Sequence, residues 1–331
     1  MASVEQSPLE KQPRPKKRGR RTKPAQAQQR YSRRSVMMGL AVTGVAVTTG
    51  IAVHSLTTGN GERSLIVGGL KLPDAEGQAI TYPISPAIIK EKTPSLLTPP
   101  DRNSLKDLIL ELQENKVTDP KELRRGLVDS LGLVRITNDL ASDTGNCFRI
   151  SPYFYLTAGH IFARATSETS AKITMPGTGD RLTVTHYING FPNNDLVILY
   201  APDQNPAQPN QISLATQSPE PGQHLFQIGL NTQSNYLHTF RGKVASEEKT
   251  TELARVLGFP NAIAVEGMIS LPGLSGSPVI YESGTITGLQ SNIYKLPKDA
   301  RHGGAMISPV SRLLAVAENQ EISPLSTSNH R

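Results

Sequence analysis

Apolar residues after position 132 of this 331-residue chain occur in short runs, continuous or alternating with polar residues, and Gly, Pro and Asn separate the runs. This spacing is typical of short β-strands joined by turns. Eight strands are predicted in this way: 133–136, 147–150, 153–156, 182–185, 196–200, 225–228, 262–265 and 277–281. The pattern predicts an all-β domain over residues 132–318 and does not by itself decide between a sandwich and a barrel. Residues 319–331 are predicted to form a flexible tail.

Residues 103–131 have a helical pattern instead, and they are the only region predicted to be helical. Four apolar residues share one face of a first helix: Leu105, Leu108, Ile109 and Leu112. A second helix is predicted to start at Asp119-Pro120, and its apolar face consists of Leu123, Leu127, Val128 and Leu131. Asn103 or Ser104 can cap the first helix, and Gly132 can close the second. We interpret the pair as packing on the outside of the β-domain, with a prosegment or regulatory arm as the alternative.

The net charge of +7 is concentrated at the N-terminus. Residues 1–34 contain 11 Lys and Arg against Glu5 and Glu10, a net charge of +9, which leaves −2 for the rest of the chain. Because the remainder is nearly neutral, its charge gives no reason to expect nucleic acid or an acidic substrate as a partner. Taken alone, the basic run could be a nuclear signal or a minor-groove arm. The residues that follow it favour another interpretation.

Residues 36–53 are an 18-residue run of mostly apolar and small side chains, and no Lys, Arg, Asp or Glu occurs between positions 35 and 61. Basic residues before such a run are typical of a segment that enters a membrane with its N-terminus in the cytoplasm. We therefore predict a basic cytoplasmic tail over 1–34 and a signal sequence or transmembrane anchor over 35–56.

Both versions place the following domain outside the cytoplasm, either secreted or anchored in the membrane. Residues 32–37 resemble a twin-arginine export signal, but no clean cleavage site follows. The apolar run is near the lower length limit for an uncleaved single-pass anchor, which is slightly favoured. Residues 57–102 are predicted to be a Pro-rich linker, because prolines at 73, 83, 86, 94, 99 and 100 interrupt any helix.

The single cysteine, Cys147, excludes an intramolecular disulfide, and its position in a predicted strand indicates a buried structural residue. The histidines show no metal-ligand spacing, and no phosphate-binding loop is present. No metal or cofactor is therefore expected.

Three motifs in the β-domain contain the residue types of a nucleophilic triad. Ser275 lies between glycines in the loop 272–278, just ahead of an apolar strand, where its hydroxyl can be exposed. A serine hydroxyl is a poor nucleophile without a base and a group that orients the base. His160 ends the run 155–160, and Asp195 follows the turn-forming pair Asn193-Asn194.

Along the chain the three residues occur in the order His, Asp, Ser. In this order and in the residues that flank each motif, residues 132–318 resemble the chymotrypsin-like (trypsin-fold) serine peptidases. The resemblance is to their compact bacterial branches in particular, the glutamyl endopeptidase and HtrA-like groups. An α/β-hydrolase would need its acid and histidine after the serine, and Asp299 and His302 lie too close to each other and to Ser275 for that arrangement. The resemblance implies two packed antiparallel β-barrels with the active site in the cleft between them.

The resemblance also implies a serine endopeptidase that hydrolyses protein or peptide substrates through an acyl-enzyme. His160 would be the general base, Asp195 would orient it, and Ser275 would attack the carbonyl carbon. The backbone N–H groups of Gly273 and Ser275 match the family's oxyanion hole.

Four residues match the family's substrate pocket: Ile269, Gln290, Ser291 and Gly304. Ile269 replaces the acid that binds Arg or Lys in trypsin-like relatives, and Gln290 replaces the histidine of glutamyl-specific relatives. We therefore expect a small or apolar P1 residue.

Two departures from the family pattern leave a second function class open. Leu274 replaces the usual Asp before the serine, and Ser277 replaces the usual second glycine. The alternative is a catalytically latent trypsin-fold protein that serves as a binding or scaffold module. The intact His160, Asp195 and Ser275 favour the enzyme.

Overall fold

The structure is a computed structural model of the chain, and it describes residues 70–84, 87–92, 94, 98–115, 119–138, 142–202, 211–231, 236–268, 271, 273–296 and 299–327. The predicted basic tail, the apolar run 36–53 and the pocket residue Ile269 lie outside these residues. Within the described ranges, no helix combines the length and the apolar character that a membrane span needs.

The described residues form sixteen strands, which are numbered in chain order: β1 (Ala79–Pro83), β2 (Lys90–Glu91), β3 (Leu131–Thr137), β4 (Ser142–Arg149), β5 (Phe154–Thr157), β6 (Ser170–Thr174), β7 (Asp180–Val184), β8 (His186–Asn189), β9 (Val197–Tyr200), β10 (His224–Leu230), β11 (Tyr236–Val244), β12 (Ile263–Glu266), β13 (Pro278–Ile280), β14 (Ile286–Leu296), β15 (Asp299–Pro309) and β16 (Ile322–Pro324). They also form four α-helices: α1 (Arg102–Glu114), α2 (Pro120–Ser130), α3 (Glu247–Leu257) and α4 (Leu313–Asn319). Short 3-10 helices cover Gly159–Phe162 and Val310–Arg312.

The strands make two sheets that are antiparallel except for the parallel pair β2 and β7. The first sheet has the order β16-β8-β9-β5-β4-β3-β6-β7-β2 and curls into an open half-barrel. The second has the order β1-β11-β10-β13-β14-β15-β12, and a pairing between β11 and β12 closes the last six of these strands into a barrel. The prediction of an all-β, two-barrel architecture is confirmed.

All eight predicted strands overlap observed ones, and alternation places their side chains in different cores. In β3, Val134 and Ile136 face the interior of the first sheet, whereas Leu131 belongs to a core that both sheets share. The same shared core contains Phe148 of β4 and Phe226 of β10. The contact between the barrels is therefore apolar, and it fixes their relative positions beneath the cleft.

The two predicted helices are present, but their ends differ from the prediction. Asp101 caps α1 by accepting a hydrogen bond from the Ser104 N–H at 2.9 Å, so the cap is neither Asn103 nor Ser104. Helix α2 ends at Ser130. Gly132 lies in β3 opposite Cys147, with no room for a Cβ beside the Cys147 and Met175 sulfurs, so its role is close packing and not helix closure.

Three further predictions are corrected by the described elements. The region 103–131 is not the only helical one, because α3 and α4 follow it. The predicted linker 57–102 contains β1, which pairs along β11, and β2, which pairs with β7. The predicted tail 319–331 contains β16, which pairs with β8. These strands are short and are held by backbone pairing to a longer strand, so the hydrophobic pattern did not reveal them.

Helix α1 is tied to the C-terminal part of the domain. The Arg102 guanidinium donates hydrogen bonds of 2.8 Å to the carbonyls of Ala317, Glu318 and Gln320 at the end of α4. Cationic groups at this position satisfy helix carbonyls that have no partner within the helix. Together with the burial of α1 and α2 in the shared core, this contact favours a structural part of the domain over a removable prosegment.

We expect Ile109→Ala to lower the free energy of unfolding by about 2–5 kcal/mol, the usual cost of emptying a buried site of this size. Ile109 is 0% exposed in the shared core. Its neighbour Leu110 is 42% exposed, so Leu110→Ala should change the same free energy by about 0.5 kcal/mol or less. Chemical denaturation of a chain that starts at residue 70 measures both. Equal effects would show that α1 is not part of the folding unit.

Candidate active site

His160 lies in the turn that follows strand β5. The strand ends at Thr157, and the 3-10 helix Gly159–Phe162 turns the chain so that the His160 ring reaches the cleft between the sheets. The neighbouring Ile161 and Phe162 are buried in the first sheet's core and anchor this turn. The imidazole itself is 30% exposed.

Asp195 follows a tight turn held by its own backbone. Asn194 donates its N–H to the Gly190 carbonyl at 2.8 Å, and Gly190 donates to the Leu196 carbonyl at 2.9 Å. Asn261, in the loop after α3, donates its Nδ2 to the Asn193 carbonyl at 2.9 Å. A loop of the closed barrel thus braces the turn of the half-barrel.

The structure brings His160, Asp195 and Ser275 together across 115 residues of sequence. His160 Nδ1 lies 2.8 Å from Asp195 Oδ2, and His160 Nε2 lies 3.1 Å from the Ser275 hydroxyl. Because a carboxylate only accepts hydrogen bonds, the neutral imidazole must carry its proton on Nδ1. Nε2 is then free to accept the serine proton.

The Asp195 carboxylate is 2% exposed and is held by two further donors. Oδ1 accepts the backbone N–H of His160, and Oδ2 accepts the Ser291 hydroxyl. A protein can bury a carboxylate when such donors replace the hydrogen bonds that the group would make to water. The acid is therefore fixed in place before any substrate binds.

The loop that carries Ser275 turns at two glycines with positive φ, Gly273 at +89° and Gly276 at +83°. Leu274, Gly276 and Ser277 donate their N–H groups to backbone carbonyls. Among the described residues, the N–H groups of Gly273 and Ser275 have no backbone acceptor. Both residues line the cleft beside His160, so the two amides predicted for an oxyanion hole are available there.

We expect Gly276→Ala to destabilise the domain and to abolish the covalent reaction of Ser275 with a fluorophosphonate, a reagent for activated serines. A Cβ at position 276 would overlap the Asn146 carbonyl and the Thr157 hydroxyl. Gly258 is a matched control: it has φ of +77°, but nothing lies within 4 Å of its Cβ position. Gly258→Ala should cost about 1–2 kcal/mol for the left-handed backbone alone. Gly276→Ala should cost about 1–3 kcal/mol more from overpacking. Thermal unfolding and active-site titration distinguish them, and equal behaviour would contradict the close packing of the serine loop.

The cleft next to Ser275 has a volume of about 200 Å³. Besides His160, Gly273 and Ser275, its walls consist of Phe259, Leu271, Gln290, Ser291, Asn292 and Ile293. Among these described residues none carries a carboxylate, an ammonium or a guanidinium group. Phe259 lies edge-on to the His160 ring at 6.4 Å and contacts Phe191, so it forms an aromatic wall on that side.

Of the four residues predicted for the substrate pocket, Gln290 and Ser291 line the cleft, and Ile269 is outside the described residues. Ser291 also has a role that the prediction missed, since its hydroxyl holds Asp195. Phe259 was missed as well, because an aromatic residue after a helix gives no local signal of a site.

Gly304, the fourth of these residues, is not among the described residues that line the cleft, and its place in the pocket stays a prediction. It lies in β15 opposite Tyr294 and Glu266, and a Cβ there would meet the Tyr294 phenol and the Val265 carbonyl. The hairpin of β14 and β15 thus packs closely at this glycine, and Ile293 of the same hairpin lines the cleft. Burial, aided by the negative charge of Glu266, raises the pKa of Tyr294 to about 12, so this phenol stays protonated at neutral pH.

Other candidate chemistry is absent from the part of the chain that the structure describes. Burial raises the pKa of the Cys147 thiol, which keeps it protonated and unreactive. No group of three or more His, Cys, Asp or Glu in the described ranges could hold a metal ion. Within the described residues, the site contains the Ser275 and Ser291 hydroxyls, the His160 imidazole, the buried Asp195 carboxylate, and the Gly273 and Ser275 amides, which have no backbone acceptor there.

Comparison with known proteins relates part of the chain to one family. The family model of the trypsin-like peptidase domain matches residues 145–289, a range that includes His160, Asp195 and Ser275. With this match, the closed barrel and the curled half-barrel define the double-barrel fold of trypsin-like peptidases. A search of curated proteins found no match.

Three solved structures are similar to part of the chain. An inactivated protease paralogue from the scabies mite is 16% identical over 56% of this chain and 89% of its own, with a TM-score of 0.43. HL collagenase is 16% identical over 56% and 90%, with a TM-score of 0.46. A serine endoprotease from Yersinia pestis is 15% identical over 62% and 69%, with a TM-score of 0.45. The resemblance to the glutamyl endopeptidase and HtrA-like branches stays a prediction.

Proposed function

We propose that the chain is a serine endopeptidase that cleaves protein or peptide substrates with His160, Asp195 and Ser275. One observation carries the proposal: His160 lies within hydrogen-bond distance of both Asp195 and Ser275, at 2.8 Å and 3.1 Å. This arrangement provides the base and the orienting group that a serine nucleophile needs. The family match over residues 145–289 supports it.

The reaction proceeds in two steps. Ser275 Oγ attacks the peptide carbonyl carbon while His160 Nε2 accepts its proton, and the carbonyl oxygen takes the negative charge. His160 then returns the proton to the leaving amine, so that the C–N bond breaks and an acyl-enzyme remains. Water hydrolyses this ester by the same route in reverse, and Asp195 stabilises the imidazolium in both steps.

The oxyanion would be bound by the Gly273 and Ser275 N–H groups. These amides have no backbone acceptor within the described residues, so a substrate oxygen does not compete with an existing bond. Each such donor is worth about 10²–10³ in rate.

We further propose a small or apolar P1 residue. The described walls of the cleft provide no charged partner for an acidic or basic side chain, and an unpaired charge is costly to desolvate. A cleavage profile of a peptide library measures this preference. A profile dominated by Arg, Lys or Glu at P1 would refute this specificity without affecting the proposed triad.

We also propose that residues 36–53 take the protease domain across a membrane, with residues 1–34 on the cytoplasmic side. The support is the basic run followed by an uncharged apolar segment. Fractionation of cells that express the full chain, combined with protease accessibility of the domain, tests this location. A domain protected inside the cytoplasm would contradict it.

Fluorophosphonate labelling tests the proposed function most directly, because the reagent forms a covalent bond only with an activated serine. A chain that starts at residue 70 retains β1 and is the suitable protein. We expect labelling of the wild type and none of Ser275→Ala. Failure of the folded wild type to react would favour the latent binding or scaffold protein instead.

A further inference from the structure

Asn146, in strand β4, contacts several parts of the site, and it was not among the residues predicted from the sequence. It is 0% exposed and does not line the cleft, so it cannot touch a substrate there. Its side chain and backbone nevertheless bond to the serine loop, to the end of β10 and to the strand that leads to His160. Any effect of Asn146 on the reaction is therefore transmitted through these elements.

The side-chain amide uses all of its hydrogen-bonding groups. Nδ2 donates to the Leu230 carbonyl at 2.9 Å and to the Gly273 carbonyl at 2.8 Å. Oδ1 accepts the Leu230 N–H at 2.7 Å. Because only the oxygen can accept that N–H, the orientation of the amide is determined by its partners. The amide thereby links the half-barrel to the closed barrel.

The backbone of Asn146 adds two further contacts. Its N–H donates to the Ser275 carbonyl at 2.7 Å, and its carbonyl accepts the Thr157 hydroxyl at 2.6 Å. The carbonyls of Gly273 and Ser275 are thus both bonded to one buried residue behind the serine loop. A carbonyl that is held there cannot turn into the cleft, where its negative end would oppose an oxyanion.

The same two residues, Gly273 and Ser275, line the cleft, and their N–H groups have no backbone acceptor among the described residues. The left-handed backbone of Gly273, φ +89°, is a conformation that glycine adopts without a side-chain clash, and glycine can leave it as easily. The Gly273–Leu274 peptide lies between the two peptides that carry the Gly273 and Ser275 N–H groups, so a contact that holds it in place constrains both of them. The described contact of the Gly273 carbonyl with a side chain is the one to Asn146 Nδ2.

We propose that Asn146 is a positioning residue that holds the serine loop in the orientation in which the Gly273 and Ser275 amides face the cleft. The proposal rests on the proposed peptidase function. It assigns the transition-state contribution of Asn146 to the two side-chain donors, and not to general packing.

The test is Asn146→Asp in the full chain, assayed with an ester or peptide substrate. The new carboxylate has the shape of the amide and can still accept the Leu230 N–H, but it has no donor for the Gly273 carbonyl. We expect kcat to fall by about 10²-fold, the order of one oxyanion donor, with KM within about threefold of the wild type. Affinity for a peptide boronic acid, which mimics the tetrahedral intermediate, should fall in parallel with kcat/KM.

A second measurement separates positioning from a structural defect. Protonation of the introduced carboxyl returns one O–H donor, so the ratio of N146D activity to wild-type activity should rise as the pH falls from about 8 to about 5. Ser130→Ala is the control for lost stability, because it removes a buried hydrogen bond to Gly126 far from the cleft. Its kcat should equal that of the wild type at every pH.

Each outcome is decisive. A folded N146D with wild-type kcat, or an activity ratio that is independent of pH, would overturn the positioning role while the peptidase function stands. If N146D does not accumulate as folded protein, Asn146→Ala, which has no side-chain donor for the Gly273 carbonyl, replaces it under the same kcat criterion. A wild type that neither reacts with a fluorophosphonate nor hydrolyses the substrate would instead reject the proposed function itself.

Discussion

Replacement of Ser275 by alanine should lower turnover by about 10⁶-fold, the loss that removal of a triad serine causes in a well-organised site. The hydroxyl lies 3.1 Å from the His160 Nε2 acceptor, and the other hydroxyl of the described cleft, that of Ser291, donates to Asp195 instead. The residual rate would come from the free amides and from substrate binding alone. Steady-state kinetics with an activated ester measures the loss.

The same site predicts that the losses of turnover in single and double variants are not additive, and this is a stricter test than the single loss. His160→Ala should cost nearly as much as Ser275→Ala, and the double variant should lose no more than either single variant, because the two side chains act as one unit. Ser283→Ala, at an exposed serine of a surface loop, is the control and should keep full activity. Multiplicative losses, or a loss below about 10³-fold for Ser275→Ala, would be incompatible with a working triad.

The three side chains could be named from the sequence because each lies in a local motif, and the resemblance to the trypsin-fold peptidases related the motifs to one another. His160 lies in the turn that follows a β-strand, Asp195 follows a tight turn, and Ser275 lies in a loop between two glycines that have positive φ. Local chemistry of this kind survives without knowledge of the fold. The eight apolar strands were predictable for the same reason, since a period of two is read from neighbouring residues.

Contacts that depend on the fold could not be predicted. The Ser291 hydroxyl reaches Asp195 across 96 positions, and nothing next to Ser291 distinguishes it from another strand residue. Strand β11 was missed because His238, Arg241 and Lys243 interrupt its apolar pattern, although its backbone pairs with three other strands. Its stability comes from these pairings, and tertiary context overrides the local signal there.

Asp195→Asn should lower kcat by about 10⁴-fold while KM and stability change little. The amide has the size of the carboxylate, but one of its ends must be an NH₂ group. The His160 backbone N–H requires an oxygen at Oδ1, so the NH₂ group would occupy the Oδ2 position and face His160 Nδ1. Nδ1 would then have to accept a hydrogen bond, and the ring proton would move to Nε2. In that tautomer Nε2 cannot take the proton of Ser275.

The matched control is Asp143→Asn, because Asp143 is exposed in β4 and the change removes the same charge. It should leave kcat at the wild-type value. Ser291→Ala is informative in the other direction: it removes a donor to Asp195 but leaves the carboxylate to hold Nδ1–H, so its loss should be far smaller than that of Asp195→Asn. A variant Asp195→Asn within tenfold of wild-type kcat would mean that His160 does not need the buried carboxylate to present Nε2 as a base.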